Sequence, residues 1–196
     1  MCMNKQILEN YYLKQRKSTS EIAKILNKSE SGINYWIKKH GIPKRTISDA
    51  IYLKHNPEGD PFKTREATTL ELAGLKGLGI GLFWGEGNKK NKTSVRLGNT
   101  DHNLIKKFIE FLIKICGIDK NDLRFSLQIF SDINPVEAKE FWKNNLKIKE
   151  RQFGKKITVS ISKKRGNYKN KMKYGVLTVY YHNKKLRDIM VNMLPK

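Results

Sequence analysis

Over the first fifty-five residues apolar positions recur at three- and four-residue intervals, the mark of helices that each bury one stripe. From Lys5 to Lys17 these positions are Ile7, Leu8, Tyr11 and Tyr12, which predicts one helix. The next segment, STSEIAKILN, opens on a capping box: Ser18 caps the backbone and Glu21, three residues on, reaches back. Its predicted buried stripe is Ile22, Ile25 and Leu26. Asn27-Lys28 makes a short turn and Ser29 caps a third helix, ESGINYWIKKH, which buries Ile33, Trp36 and Ile37. That helix stops at Gly41, with Pro43 beyond it as a breaker. RTISDAIYLKH continues as a further short helix. NPEGDPFKTREATT, residues 56–69, collects prolines, a glycine and mixed charge and reads as a linker.

The pattern changes after the linker. Thr68-Thr69-Leu70-Glu71 is a second capping box, so a helix is predicted through LELAGLKGLGIGLFWGE. Leu72, Leu75, Leu78, Ile80, Leu82 and Phe83 are its core positions. Ala73, Gly77, Gly81 and Gly85 recur every four residues on one nearly straight small-residue row. Each glycine costs about 1 kcal/mol relative to alanine inside a helix, so the row needs a reason. Small residues let two helix backbones approach closely, and the row predicts a second helix lying against it. Alternation with a period of two follows: one or two strands in KKNKTSVRLGNT, then LRFSLQIF, KITVSIS and YGVLTVYYH. Helices are predicted in HNLIKKFIEFLIKICG, PVEAKEFWKNNL and NKKLRDIMVNML. The expected organisation is therefore α+β: a three-helix domain at 1–55, the linker, and a mixed domain at 70–196.

Charge narrows the partner. The 196 residues carry 40 Lys+Arg against 18 Asp+Glu, a net +22, which is the footprint of a polyanion and above all of nucleic acid. Residues 147–187 alone hold 14 Lys+Arg and one acid, Glu150. Within them KKRGNYKNKMK places Lys163, Lys164, Arg165, Lys169, Lys171 and Lys173 on one loop suited to phosphates, beside Tyr168. Lys89, Lys90, Lys92 and Arg96 form a second basic patch just after Glu86. No apolar run approaches the ~18 residues of a membrane span, and the start MCMNKQILENYY lacks the apolar core of a signal peptide. Two cysteines, Cys2 and Cys116, exclude a disulfide framework and point to a reducing cytoplasm. Four scattered histidines make no zinc pattern. Walker and Gly-x-Ser-x-Gly signatures are absent, and no strand precedes Gly79-x-Gly81 as a dinucleotide fold requires, so no small-molecule substrate is expected.

Three short helices with a tight turn and basic surroundings point to a helix-turn-helix, a structural bundle with a solvated polar face being the plainer reading. SEIAKILNKSESGINYWIKKHGI resembles the winged or resolvase-type helix-turn-helix consensus. Ser31, Asn34, Tyr35 and Lys38 lie opposite the buried stripe of the third helix and are the expected base-reading face. Lys28, Lys39, Lys44 and Arg45 are the expected phosphate contacts. In the second domain, Glu86 ends the glycine helix. If the helix packs against its own copy, two carboxylates meet, a repulsive pairing that a divalent cation such as Mg²⁺ relieves.

GIGLFWGEG resembles the LAGLIDADG motif of homing endonucleases: Gly81 falls on its first glycine, Glu86 on its metal-binding acid and Gly87 on its closing glycine. Trp84 replaces the motif's first aspartate, which is not a metal ligand. The resemblance spans roughly residues 70–194 and implies an αββαββα saddle whose concave sheet sits on duplex DNA. It implies a homodimer, because the motif occurs once, with Ala73, Gly77, Gly81 and Gly85 at the interface. It also implies Mg²⁺-dependent strand cleavage, with Glu86 holding the metal, the Gly85 carbonyl assisting, and a metal-activated water attacking the phosphate. The family's basic residue near the last strand-to-helix junction falls nearest Lys184. The helix PVEAKEFWKNNL departs from the family order, and Asn99-Thr100-Asp101 offers no clear catalytic helper. A non-catalytic transcription regulator built from the same two modules is the alternative function.

Overall fold

The computed structural model describes residues 3–154, 156–161 and 173–195 and divides the chain into two compact units, Met1–Pro61 and Phe62–Lys196. Of the first unit's expectations, the capping box is present in full. Ser18 Oγ accepts from Glu21 N at 3.1 Å while Ser18 N donates to Glu21 Oε2 at 2.7 Å. It starts α2 (Thr19–Ile25), preceded by α1 (Lys5–Glu9) and followed by α3 (Glu30–Lys39). Asn27, at φ 50°, supplies the left-handed residue that turns the chain between α2 and α3. Leu8, Tyr12, Ile22, Ala23, Ile33, Ile37 and Ile42 form one core.

Three details differ from the pattern. The first helix is not uniform: it passes into a π-helical turn at Asn10–Lys14, which swings Tyr12 into the core. Ile25 is exposed and Ala23 takes its place, because Ile22 and Leu26 already fill the side of α2 that faces the core. Trp36 is only half-buried, its ring stacked on His40 at 5.4 Å. α4 (Ile47–His55), capped by Thr46, buries none of its residues, and Ile47 and Ile51 are exposed.

The second unit begins inside the expected linker. Phe62 is buried, Lys63 N donates to Cys116 O at 3.1 Å and Arg65 N to Ile115 O at 2.8 Å, so this stretch is tied down. α5 covers Leu70–Glu86 as the pattern predicts. Its N-cap is Thr69, accepting from Leu72 N; Glu71 does not close a capping box and faces Lys114 instead. Next come β1 (Val95–Asn99), α6 (His102–Lys114), β2 (Arg124–Phe130), α7 (Pro135–Leu146), β3 (Thr158–Ser160), β4 (Val176–Tyr181) and α8 (Lys184–Asn192). KKNKTSVRLGNT yields one strand, with a single bridge from Gly87 to Leu97 beside it.

The four strands make one mixed sheet in the order β1-β4-β2-β3. β4 runs antiparallel to both its neighbours, and β2 pairs with β3 in parallel. Val95, Leu97, Phe125, Leu127, Ile129, Leu177, Val179 and Tyr181 occupy one face and are buried. They share a core with Phe83 of α5, Ile105, Phe108 and Leu112 of α6, Trp142 of α7, and Leu186 and Met190 of α8. Trp142 satisfies its indole N–H on Tyr174 O at 2.8 Å, which ties α7 to the chain entering β4. Cys116 lies buried just beyond α6, beside a cavity walled by Lys76, Phe111, Ile189 and Met193. Burial pushes its thiol up to about 12.

Candidate functional site

α5 answers its glycines in two ways. Gly79 is buried, and a Cβ there would stand 2.1 Å from Phe111 Cγ, so this glycine admits the α6 side chain into the helix surface. Gly77, Gly81 and Gly85 face the other way, and a Cβ on any of them would meet nothing within 4 Å. With exposed Ala73, Leu70, Leu78 and Trp84 they form a small-residue track flanked by apolar side chains. Leu78, expected in the core, belongs to this exposed flank.

Glu86 sits at the end of the track, exposed, and its carboxylate has no hydrogen-bond or ion-pair partner among the described residues. The chain leaves the helix through Gly87, where a Cβ would fall 2.3 Å from Phe83 Cδ2 and 2.4 Å from Phe83 O. Only glycine lets the backbone turn down onto β1 there. Lys89 returns to the helix end and donates to Trp84 O at 2.7 Å, while Lys90 and Lys92 are exposed. Among the described residues no three His, Cys, Asp or Glu side chains gather as a ready-made metal cluster.

Lys184 is the first residue of α8 and pairs with Asp188 at 2.6 Å. Burial raises the Asp188 carboxyl, but the hydrogen bonds from Lys184 and Arg187 outweigh it and hold the group below its ordinary range. Arg187 also donates to Lys89 O, so α8 is joined to the loop that follows Glu86. Asp101 is occupied as the N-cap of α6, accepting from Asn103 N and Leu104 N.

In the first unit, Ser31, Asn34, Tyr35 and Lys38 line one open groove on α3 together with Gly41, Ile42 and Lys44. Asn34 spends one amide hydrogen on Glu30 O at 3.0 Å. The Lys39 ammonium lies 4.8 Å from the Trp36 ring and 5.6 Å from that of Tyr35; Lys28 is exposed. Arg45, expected at a phosphate, makes internal bonds as well. Its guanidinium lies 4.0 Å from the Tyr12 ring and donates to the carbonyls of Tyr12, Arg16 and Lys17. Those carbonyls are freed where the π-turn ends, and the guanidinium ties the loop before α4 back to them. Lys163, Lys164, Arg165, Tyr168, Lys169 and Lys171 lie outside the described residues. Lys173 is exposed, 5.3 Å from the Tyr174 ring.

The outward face of the sheet holds residues that the sequence reading passed over, apart from Arg96. Arg96, Tyr180 and Arg124 stand in one cross-strand row, and Gly98, Thr178 and Ser126 in the next. Gln128 continues the face beyond them and bonds Ser160 Oγ at 3.1 Å. The signal was available: these are the polar members of the alternation in VRLGN, RFSLQIF and VLTVYY, opposite the buried set. No protein-family model matches the chain, and no curated protein or solved structure matches it. No helix among the described residues is long and apolar enough to cross a membrane.

Proposed function

We propose that this chain is a sequence-specific DNA-binding protein that acts as a homodimeric, divalent-metal-dependent endonuclease of the LAGLIDADG type. The observation that carries the reading is α5: a bare row of Ala73, Gly77, Gly81 and Gly85 running to a free carboxylate at Glu86. Among the described residues nothing lies within 4 Å of a Cβ at Gly77, Gly81 or Gly85, whereas a second copy of α5 would let the backbones approach closely and bring two Glu86 carboxylates together. The saddle architecture and the helix-turn-helix character of the first unit belong to the same proposal.

The donor set suits a hard cation, which takes oxygen ligands from carboxylates and backbone carbonyls. Glu86 and the carbonyl of Gly85 are the residues that would hold it. One such pair is too few ligands for a divalent ion, and the dimer supplies the second. Bound there, the ion would contribute Lewis-acid stabilisation and lower the pKa of a coordinated water. The chain's own part is to position: Gly87 fixes the exit from α5, Lys89 holds the end of the helix, and the Arg187 bond to Lys89 O steadies the loop beyond. Lys89, Lys90 and Lys92 place positive charge beside the site for a phosphate backbone. α3, with Asn34, Tyr35 and Lys38 facing out, would read bases in a major groove, and the sheet face would extend the contact.

The test starts from a random duplex library, selected for bound sequences with and without Mg²⁺. The selected site is then offered to the wild type and to Glu86→Gln. Expected are Mg²⁺-dependent cuts by the wild type, with binding kept and cutting lost in the variant. A variant that cuts at the wild-type rate removes Glu86 from the site. Binding without any cutting by either protein leaves the regulator reading.

A further inference from the structure

The sheet carries a cluster whose positive charges meet no carboxylate among the described residues. Arg96 on β1 and Arg124 on β2 both pair in register with Tyr180 on β4, so an arginine stands on the strand at either side of it. Arg96 Cζ is 5.4 Å from the centre of that ring. His182, two residues beyond Tyr180 and on the same side of the chain, sets its imidazole edge-on to the Tyr180 ring at 5.0 Å. Arg96 Nε donates to Ser94 Oγ at 2.7 Å, and Arg124 donates to the carbonyls of Asn121 and Leu123. Neither arginine is ion-paired with a carboxylate among the described residues. Both remain cationic at any physiological pH, and among the described residues Tyr180 and His182 are the titratable groups beside them.

We infer that Arg96, Arg124, Tyr180 and His182 form a phosphate-binding site at one end of the sheet, and that His182 takes up a proton when a nucleic-acid phosphodiester enters it. Two fixed positive charges without a counter-ion attract an anion, and the aromatic ring between them offers a flat wall for the adjoining sugar. In the empty site a third positive charge is opposed. Partial burial of the ring, then Arg96 and Arg124, hold the His182 imidazole below its ordinary range. A phosphate brings negative charge to the same place and reverses the sign of that balance, so the imidazolium becomes favoured. Binding and protonation are then linked, and each promotes the other by the same factor.

The inference rests on the nucleic-acid reading of the sheet face but not on cleavage by Glu86. It is tested by following the His182 ring protons by NMR across pH, assigned by their loss in His182→Gln. Three samples are compared: the protein alone, with a random-sequence duplex at low salt, and with inorganic phosphate. The free ring is expected to titrate below its ordinary midpoint, and duplex to raise that midpoint by about one unit or more. Duplex affinity should then tighten by up to about tenfold per pH unit as pH falls through the interval between the two midpoints. His182→Gln should lose that His182-dependent tightening, its duplex affinity no longer rising as pH falls through that interval. Arg124→Gln should weaken the upward shift. If duplex binds tightly and the His182 midpoint stays where it was, the site is overturned while DNA binding stands. If duplex does not bind at all, the reading of the whole protein fails and the phosphate sample decides: an upward shift keeps an anion site, and none removes it.

Discussion

Gly79 and Gly81 are two residues apart on one helix and answer opposite constraints. At Gly79 an added methyl would enter the Phe111 ring, an overpacking that typically costs about 1–3 kcal/mol. Gly79→Ala should therefore lower the unfolding free energy measured by urea titration by that amount. At Gly81 the methyl would meet nothing. Replacing a helix-interior glycine by alanine gains about 0.5–1 kcal/mol, so Gly81→Ala should stabilise the isolated chain. Equal effects from the two would mean that the two faces of α5 are misassigned. The row at Gly77, Gly81 and Gly85 was legible because its spacing is local. Gly79 was not: its partner is 32 positions away, on a helix that only packing brings near. The internal bonds of Arg45 were hidden for the same reason. Its basic neighbourhood is visible in the sequence, but the three carbonyls it serves are exposed only by the end of a π-turn.

Among the elements, α2 shows how a local rule carries through to stability. The hydrogen bonds from the Ser18 backbone and hydroxyl lower the Glu21 carboxyl below its ordinary value. A carboxyl depressed in the folded state contributes stability above its unfolded value of about 4.5, and that contribution is lost as pH falls through the folded value. Glu21→Gln should thus be less stable than wild type at pH 7, with the gap closing as pH falls below about 4.5 and on through the lowered folded value. Ser18→Ala should cost about 1 kcal/mol at pH 7. Thermal melts of the three proteins across pH measure both; a gap that widens on acidification would contradict the capping role. Caps and strand alternation were legible because each is settled within a few residues. The strand order was not. β1 meets β4 across 78 positions or more, and β2 takes β3 in parallel only because α7 fills the crossover between them.

For the molecule as a whole, the net charge of +22 predicts how the proposed duplex binding responds to salt. Each phosphate contact released with its counter-ion contributes about 0.9 to the log–log salt slope on duplex DNA. Replacing exposed Lys90 and Lys92 by glutamine should flatten that slope by up to about 1.8 and weaken all sequences alike. A change confined to one sequence would make them base contacts instead. Asn34→Ala should do the reverse, altering preference at one or two base pairs by roughly 1–3 kcal/mol, as titrations against matched and mismatched duplexes would show. Cys116 has a consequence of another kind. A thiol shut away beside α6, its ionisation pushed up to about 12, reacts with a disulfide reagent only during moments when the surrounding structure parts. In a Cys2→Ser background its labelling rate becomes a clock for local opening of the second unit. Gly79→Ala, which strains the α5–α6 contact, should make that clock run faster, while Gly81→Ala should slow it.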